Sequence, residues 1–307
     1  ISHAKWKELL EDPEHPMQNR PVQSAYPPGS VFKLVVGGLG LESGAVTPGT
    51  SVFCSGSYKL GERSFRCWNK GGHGQTDFRK SLRESCDVYY YQLGERLGVN
   101  AISDFATRCG FGVKTGVELP HERSGNMPTA EWKLKRFGEK WQRGETLNYS
   151  IGQGYTQTTP LQVARFVAAL VNGGKILRPT LLATKTPDVV DELPMTASTR
   201  KLILDAMVAT VEEERGTARL LRREGIRIGG KTGTAQVVKL MDKFEKKKTQ
   251  EIPYKYRDHA WLAGFAERDG RRYVAVAMVE HGGHGGSDAG PVVGAVFDAL
   301  FGVQQAN

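Results

Sequence analysis

Between Leu34 and Leu41 the chain reads LVVGGLGL, apolar on every side and carrying glycine at 37, 38 and 40. An exposed helix tolerates such residues poorly, since each glycine costs roughly 1 kcal/mol against alanine. The stretch makes sense as a helix at the centre of the molecule, where a missing side chain lets a neighbour approach closely. Pro27, Pro28 and Gly29 come just before it, which predicts a helix start near Ser30. Ser30 and Lys33 therefore belong at the mouth of a buried helix.

Those two residues are three positions apart, so a helix sets both side chains on one face. A serine hydroxyl is a poor nucleophile at neutral pH; it needs a base within hydrogen-bond reach and donors aimed at the oxyanion its attack creates. Lys33 is the candidate base, and it must shed a proton, which burial and a neighbouring positive charge favour. Two later stretches supply further parts: Ser85 and Asp87 in RESCDVYY, and Lys231, Thr232, Gly233 and Thr234 in IGGKTGTAQ. The last follows IRIGG and leads into TAQVV, an alternation that predicts a strand with its edge facing a cleft. Lys231 is the candidate for the positive charge beside Lys33.

None of these spacings is decisive alone. Ser198 and Lys201 repeat the first, Ser124 and Asn126 the second, and Lys114, Thr115 and Gly116 the third. Context separates the sets. Ser198 opens an amphipathic stretch that reads as a surface helix, and Lys114 lies in GFGVKTGVELP with no strand before it.

Order, separation and flanks of the first set resemble the penicillin-binding transpeptidases and serine β-lactamases. YPPGSVFK, ESCDVYYYQLG, SIGQGYTQTTPLQVA, GGKTGTAQ, HAWLAGFA and VEHGGHGGS are most similar to the class B enzymes of the rod-elongation machinery, over about Ile1 to Phe301. The resemblance implies an α+β fold, an antiparallel sheet flanked by helices with a helical lobe. It implies Ser30 as the acylated nucleophile, Lys33 as general base and Ser85 as proton relay. Asp87, where many relatives have Asn, would orient the motif. Lys231, Thr232 and Thr234, around Gly233, would hold the substrate carboxylate, and the backbone amides of Ser30 and Thr234 would form the oxyanion hole. The implied reaction is D,D-transpeptidation of peptidoglycan stem peptides, blocked by β-lactams; a β-lactam-sensing or β-lactam-hydrolysing serine domain is the alternative. The implied partner is an elongation-complex glycosyltransferase. The implied location is the periplasmic face of a bacterial inner membrane, with a single anchor.

The four cysteines pose a separate question. Cys54, Cys67 and Cys86 surround His73, and three thiolates with an imidazole are a tetrahedral zinc set. A structural zinc, a Cys54–Cys67 disulfide and free thiols are all open readings. Cys86 lies between Ser85 and Asp87, so whatever binds it pins the second stretch. Cys109, in TRCGFG, reads as a small buried apolar residue, and His281 and His284 in EHGGHGGS as part of a glycine-rich loop. Four protein ligands leave no open position for a zinc hydrolase.

A net charge of +9 over 307 residues has no nucleic-acid motif beside it, and outside VKLMDKFEKKK the basic residues are scattered. No apolar run is long enough to span a bilayer. The expectation is one transpeptidase domain over 1–307, truncated at its N-terminus, without the anchor, the stalk domain and a first strand pair that would complete a five-stranded sheet. Helices are expected at Leu34–Leu41, Phe78–Ser85, Val88–Leu97, Leu161–Asn172, Ser198–Glu213 and Val292–Phe301. Strands are expected at Ile226–Val238, Ala260–Ala266 and Tyr273–Glu280, the last two joined by ERDGRR. The final strand would then present an unpaired apolar edge.

Overall fold

The glycine-bearing helix is where the sequence asks for it. In the computed structural model, which describes residues 1–183, 185–237 and 251–303, two exposed or short helices come first, α1 (His3–Glu11) and α2 (Arg20–Gln23). A single tight turn over Gly29–Phe32 then runs into α3 (Lys33–Glu42). A Cβ on Gly37 would stand 3.1 Å from Phe78 and Tyr90, and one on Gly40 2.9 Å from Leu93, so the glycines admit the neighbouring elements. The regular helix begins at Lys33, and Ser30 occupies the turn before it.

Small antiparallel pairs follow: β1 (Val52–Cys54) with β4 (Gly74–Thr76), and β2 (Ser57–Leu60) with β3 (Arg63–Arg66). Next come α4 (Phe78–Arg83), α5 (Asp87–Leu97), α6 (Val99–Arg108), α7 (Ala130–Phe137), α8 (Arg143–Ser150) and α9 (Pro160–Val171). α3 packs against α5, α6 and α10 (Ala197–Glu212), after the small pair β5 (Lys175–Leu177) and β6 (Val189–Glu192). Local chemistry sets several starts. Asp77 caps α4, Thr196 caps α10, and Thr159 and Gln162 form a reciprocal cap on α9 with Pro160 in its first turn.

The first expected helix of the second stretch ends early. Rather than running to Ser85, α4 stops at Arg83, because Ser85 takes a left-handed backbone with φ 55°.

The main sheet is β7 (Arg227–Ala235), β8 (His259–Arg268) and β9 (Arg271–Val279), antiparallel in that order. Asp269 and Gly270, both at positive φ, make the two-residue turn joining β8 to β9. Along β8, Trp261, Ala263 and Phe265 face the large helical core, while Ala260, Leu262 and Ala266 face α11 (Gly290–Phe301) and Phe297. The sheet is thus covered on both faces. Among the described residues β9 pairs only with β8, which leaves its outer edge without a strand. The lysine-rich run VKLMDKFEKKK lies outside the described residues.

Candidate active site

Three backbones meet at the turn that carries Ser30. Gly29 donates its N–H to Gly152 O at 3.0 Å and has φ 54°, and an added Cβ there would stand 2.5 Å from Thr234 O on β7. Gly152, at φ 73°, lies as close on the opposite side, its own Cβ position 2.2 Å from Gly29 O. Gln153 donates Nε2 to Thr234 O at 3.0 Å, closing the layer. Ser30, in the turn just before α3, is therefore seated against β7 by main-chain contacts that the Gln153 side chain completes.

The other predicted residues converge behind it. Lys33 and Lys231 are fully buried, and Ser85 and Asp87 nearly so. Lys33 Nζ donates to Asp87 Oδ1 at 2.6 Å, to Ser85 O at 2.9 Å and to Ser85 Oγ at 3.3 Å. Lys231 Nζ donates to Ser85 Oγ at 2.8 Å and to Thr232 O at 2.9 Å. The Ser85 hydroxyl thus bridges two lysines. Burial first, and the Lys33 charge second, hold Lys231 well below the ordinary lysine value. Burial pushes the Asp87 carboxyl upward, against the pull of the Lys33 ammonium. The sequence argument assigned Lys231 to act on Lys33; in the structure the lysine whose charge is strongly disfavoured is Lys231. Thr232 Oγ1 lies 2.7 Å from Thr217 Oγ1, and Gly233 backs onto Pro28 O and Trp261.

The duplicated spacings are elsewhere. Ser198 is in the first turn of α10, and Thr115 and Asn126 serve loops through Glu122 and Tyr155 O.

Beside Ser85, the ligand atoms of Cys54, Cys67, His73 and Cys86 all lie within 4.8 Å of one another, every residue buried. The cysteines are free thiols. His73 Nδ1 faces Cys54 Sγ at 3.6 Å and Cys67 Sγ at 3.5 Å. The Cys86 thiol, hydrogen-bonded to Cys67, pulls the Cys67 thiol well below the ordinary cysteine range, and Cys86 is raised in turn. Three soft sulfur donors and one imidazole at this separation fit a tetrahedral divalent metal of the zinc type. Cys109 stands apart, buried in the core, with its thiol raised by burial. His281 Nδ1 is taken up by Arg257 O at 3.0 Å.

Sequence reasoning missed several participants. Gln153 and Gly152 lie in SIGQGYT, where the two glycines were the available signal. Trp68 N–H bonds Asp87 Oδ2 at 2.9 Å, and its indole bonds the carbonyls of Glu84 and Ser85 at 3.1 and 3.0 Å. Tyr26 donates to Glu280 Oε1 at 2.7 Å while Arg20 holds Oε2 at 2.8 Å, tying the segment before the nucleophile to the end of β9.

An antiparallel sheet covered on both faces, a serine at the head of a central helix and a buried lysine pair around a second serine define the active-serine, penicillin-recognising class. The chain belongs to the penicillin binding protein transpeptidase domain family, whose model matches residues 3–301. It is 36% identical over 311 residues to the peptidoglycan D,D-transpeptidase MrdA of Haemophilus influenzae, covering 97% of this chain and 48% of that protein. It is 36% identical over 315 residues to MrdA of Escherichia coli K12, covering 98% and 49%. The chain spans about half the length of the curated relatives it matches. Among solved structures, PBP2 of Helicobacter pylori in complex with MreC superposes with a TM-score of 0.86 at 34% identity, covering 99% of this chain and 54% of that one. PBP2 of Pseudomonas aeruginosa in complex with WCK 5153 gives 0.84 at 37%, covering 98% and 64%. A structure described as a peptidoglycan synthase complex gives 0.86 at 34%, covering 100% and 51%.

Proposed function

We propose that this chain is a serine D,D-transpeptidase domain that cross-links peptidoglycan stem peptides and is acylated by β-lactams. The observation that carries the reading is the Ser85 hydroxyl between two buried lysines, 2.8 Å from Lys231 Nζ and 3.3 Å from Lys33 Nζ, behind a serine at the mouth of a central helix.

In this mechanism Lys33, in its neutral amine form, takes the Ser30 Oγ proton as Oγ attacks the D-Ala-D-Ala carbonyl. The amides of Ser30 and Thr234 stabilise the oxyanion. Ser85 passes the proton to the departing D-Ala nitrogen, and an amine of a second stem resolves the ester. Asp87 fixes Lys33 through the 2.6 Å contact. Lys231 meets the substrate carboxylate together with Thr232 and Thr234, because that carboxylate is the counter-charge its buried ammonium needs.

Cys54, Cys67, His73 and Cys86 would hold a structural zinc. Bound there, zinc supplies a cross-link and no reaction chemistry, since four protein ligands leave no open position. Cys86, held in that set, would keep Ser85 and Asp87 in register.

The neighbour solved as a peptidoglycan synthase complex coordinating polymerization and crosslinking supports an assembly with a glycosyltransferase, and the neighbour bound to MreC supports a further partner; the location in this reading is the periplasmic side of an inner membrane. No described helix is long and apolar enough to cross a membrane.

The test is incubation with a labelled penicillin, followed by mass. A stable adduct on Ser30, lost in Ser30→Ala, is expected. Rapid release of hydrolysed drug would mark a β-lactamase, and a folded chain that forms no adduct would end the acyl-transfer reading.

A further inference from the structure

Trp68 combines two features. The residue is 59% exposed, yet both of its N–H groups are committed to the Glu84–Asp87 stretch. The backbone N–H bonds Asp87 Oδ2, and the indole N–H is shared between Glu84 O and Ser85 O. His73 lies against the ring at 5.4 Å between centroids. An exposed tryptophan on a loop is ordinarily free to turn; this one is fixed by polar contacts at its edge while its face stays open.

What the edge holds matters for the chemistry. Ser85 is a non-glycine residue at φ 55°, a conformation that persists only where its surroundings impose it. Two donors fix its carbonyl, Lys33 Nζ at 2.9 Å and Trp68 Nε1 at 3.0 Å. If the indole donor is removed, the carbonyl is held by Lys33 alone, and the peptide can rotate and carry Ser85 Oγ away from Lys231 Nζ.

Resting on the transpeptidase reading above, we propose that Trp68 is a positioning and specificity residue. Its indole N–H locks Ser85 in the left-handed turn, and its open face is an aromatic wall for the apolar part of the acyl donor. The wall follows from reach: the indole nitrogen is one hydrogen bond from Ser85 O, and the residue is largely exposed, so an open aromatic surface lies beside the residue whose hydroxyl bridges the two lysines. Aromatic faces held rigid in this way contribute contact area at little conformational cost.

Trp68→Phe separates the tasks, because it keeps a ring and removes the N–H; Trp68→Ala removes both; Trp68→His restores a ring donor on a smaller face. The measurement is the concentration dependence of acylation by a labelled penicillin, which yields the acylation rate constant and the dissociation constant of the encounter complex, beside a thermal melt. Trp68→Phe is expected to lower the rate constant tenfold or more and leave the dissociation constant within twofold. Trp68→Ala is expected to lower the rate constant and raise the dissociation constant at least fivefold. Trp68→His should recover part of the rate lost in Trp68→Phe. All should melt within a few degrees of the parent, since the ring is mostly exposed; a Trp68→Ala chain that fails to fold would overturn the wall. A Trp68→Phe chain at the parental rate constant overturns the positioning role, and equal dissociation constants in Trp68→Ala and Trp68→Phe overturn the wall. A parent that forms no adduct refutes the reading beneath the proposal, whereas a parent and a Trp68→Phe chain that acylate alike refute the proposal alone.

Discussion

Replacing Gly29 with alanine tests how the nucleophile is placed. The new methyl would sit 2.5 Å from Thr234 O and 2.9 Å from Thr234 C, both main-chain atoms of β7, and the residue would have to keep φ near 54°. The left-handed backbone costs a non-glycine residue about 1–2 kcal/mol. Relieving the overlap means moving the turn and β7 apart by about an ångström, and overpacking of that kind costs roughly 1–3 kcal/mol. The sum, roughly 2–5 kcal/mol, corresponds to a melting-temperature loss on the order of 3–8 °C for a domain of this size. The same displacement separates Ser30 from the amide of Thr234, and misplacement by about 1 Å lowers rate around 100-fold. Gly44→Ala is the control. It has φ 72° and nothing within 4 Å of an added Cβ, so it bears the backbone cost alone. The assay is the rate of adduct formation with a labelled penicillin, beside a thermal melt of each variant. A Gly29→Ala chain that acylates within threefold of Gly44→Ala would refute the main-chain seating of the nucleophile.

Lys231→Met should leave the melting temperature at pH 7 unchanged or higher while cutting acylation at least 100-fold, since it removes a buried ammonium that folding disfavours. Between the depressed folded value and the ordinary lysine value near 10.5, the unfolded chain binds more protons at this site than the folded one. Parental stability should therefore gain on Lys231→Met as pH rises through that window, measured as a difference in denaturation free energy; a gap that moves the other way rejects the assignment. Metal analysis after purification without added metal should find about one zinc per chain, lost in Cys67→Ser, and a chelator should lower the melting temperature of the parent. A well-folded metal-free parent would reject the zinc site. Tyr26→Phe removes a hydrogen bond to the Glu280 carboxylate and should cost roughly 1.5–3 kcal/mol in urea denaturation, with no loss expected once Glu280→Ala has removed the acceptor.

What the sequence revealed and what it hid divide along physical lines. The glycines of α3 were legible because an apolar helix with missing side chains has one comfortable place, the interior. Asp269 and Gly270 were legible because few residues accept positive φ in succession. The amphipathic helix α6 carried a readable period in Val99, Ile102, Phe105 and Ala106, all buried, but it was not drawn. β2 and β3 gave too little signal, because each is only four residues long and all their residues are exposed or half-buried. Those short pairs, with β1 and β4, bring Cys54 and His73 to Cys86, so the cluster could be listed by residue type but not assembled. The turn at Ser85 was hidden altogether: no local preference drives a serine to positive φ, and the bonds that hold it come from Lys33 and Trp68, distant in the chain.

The seating of Gly29 between Gly152 and Thr234 has a consequence for how such an enzyme can change under drug selection. Contacts made by main chain offer substitution nothing to adjust, and any side chain introduced at either glycine intrudes on the layer. On the transpeptidase reading, heritable shifts in β-lactam sensitivity are therefore channelled to residues around the layer, such as Thr217 or Trp68, whose side chains are not part of it.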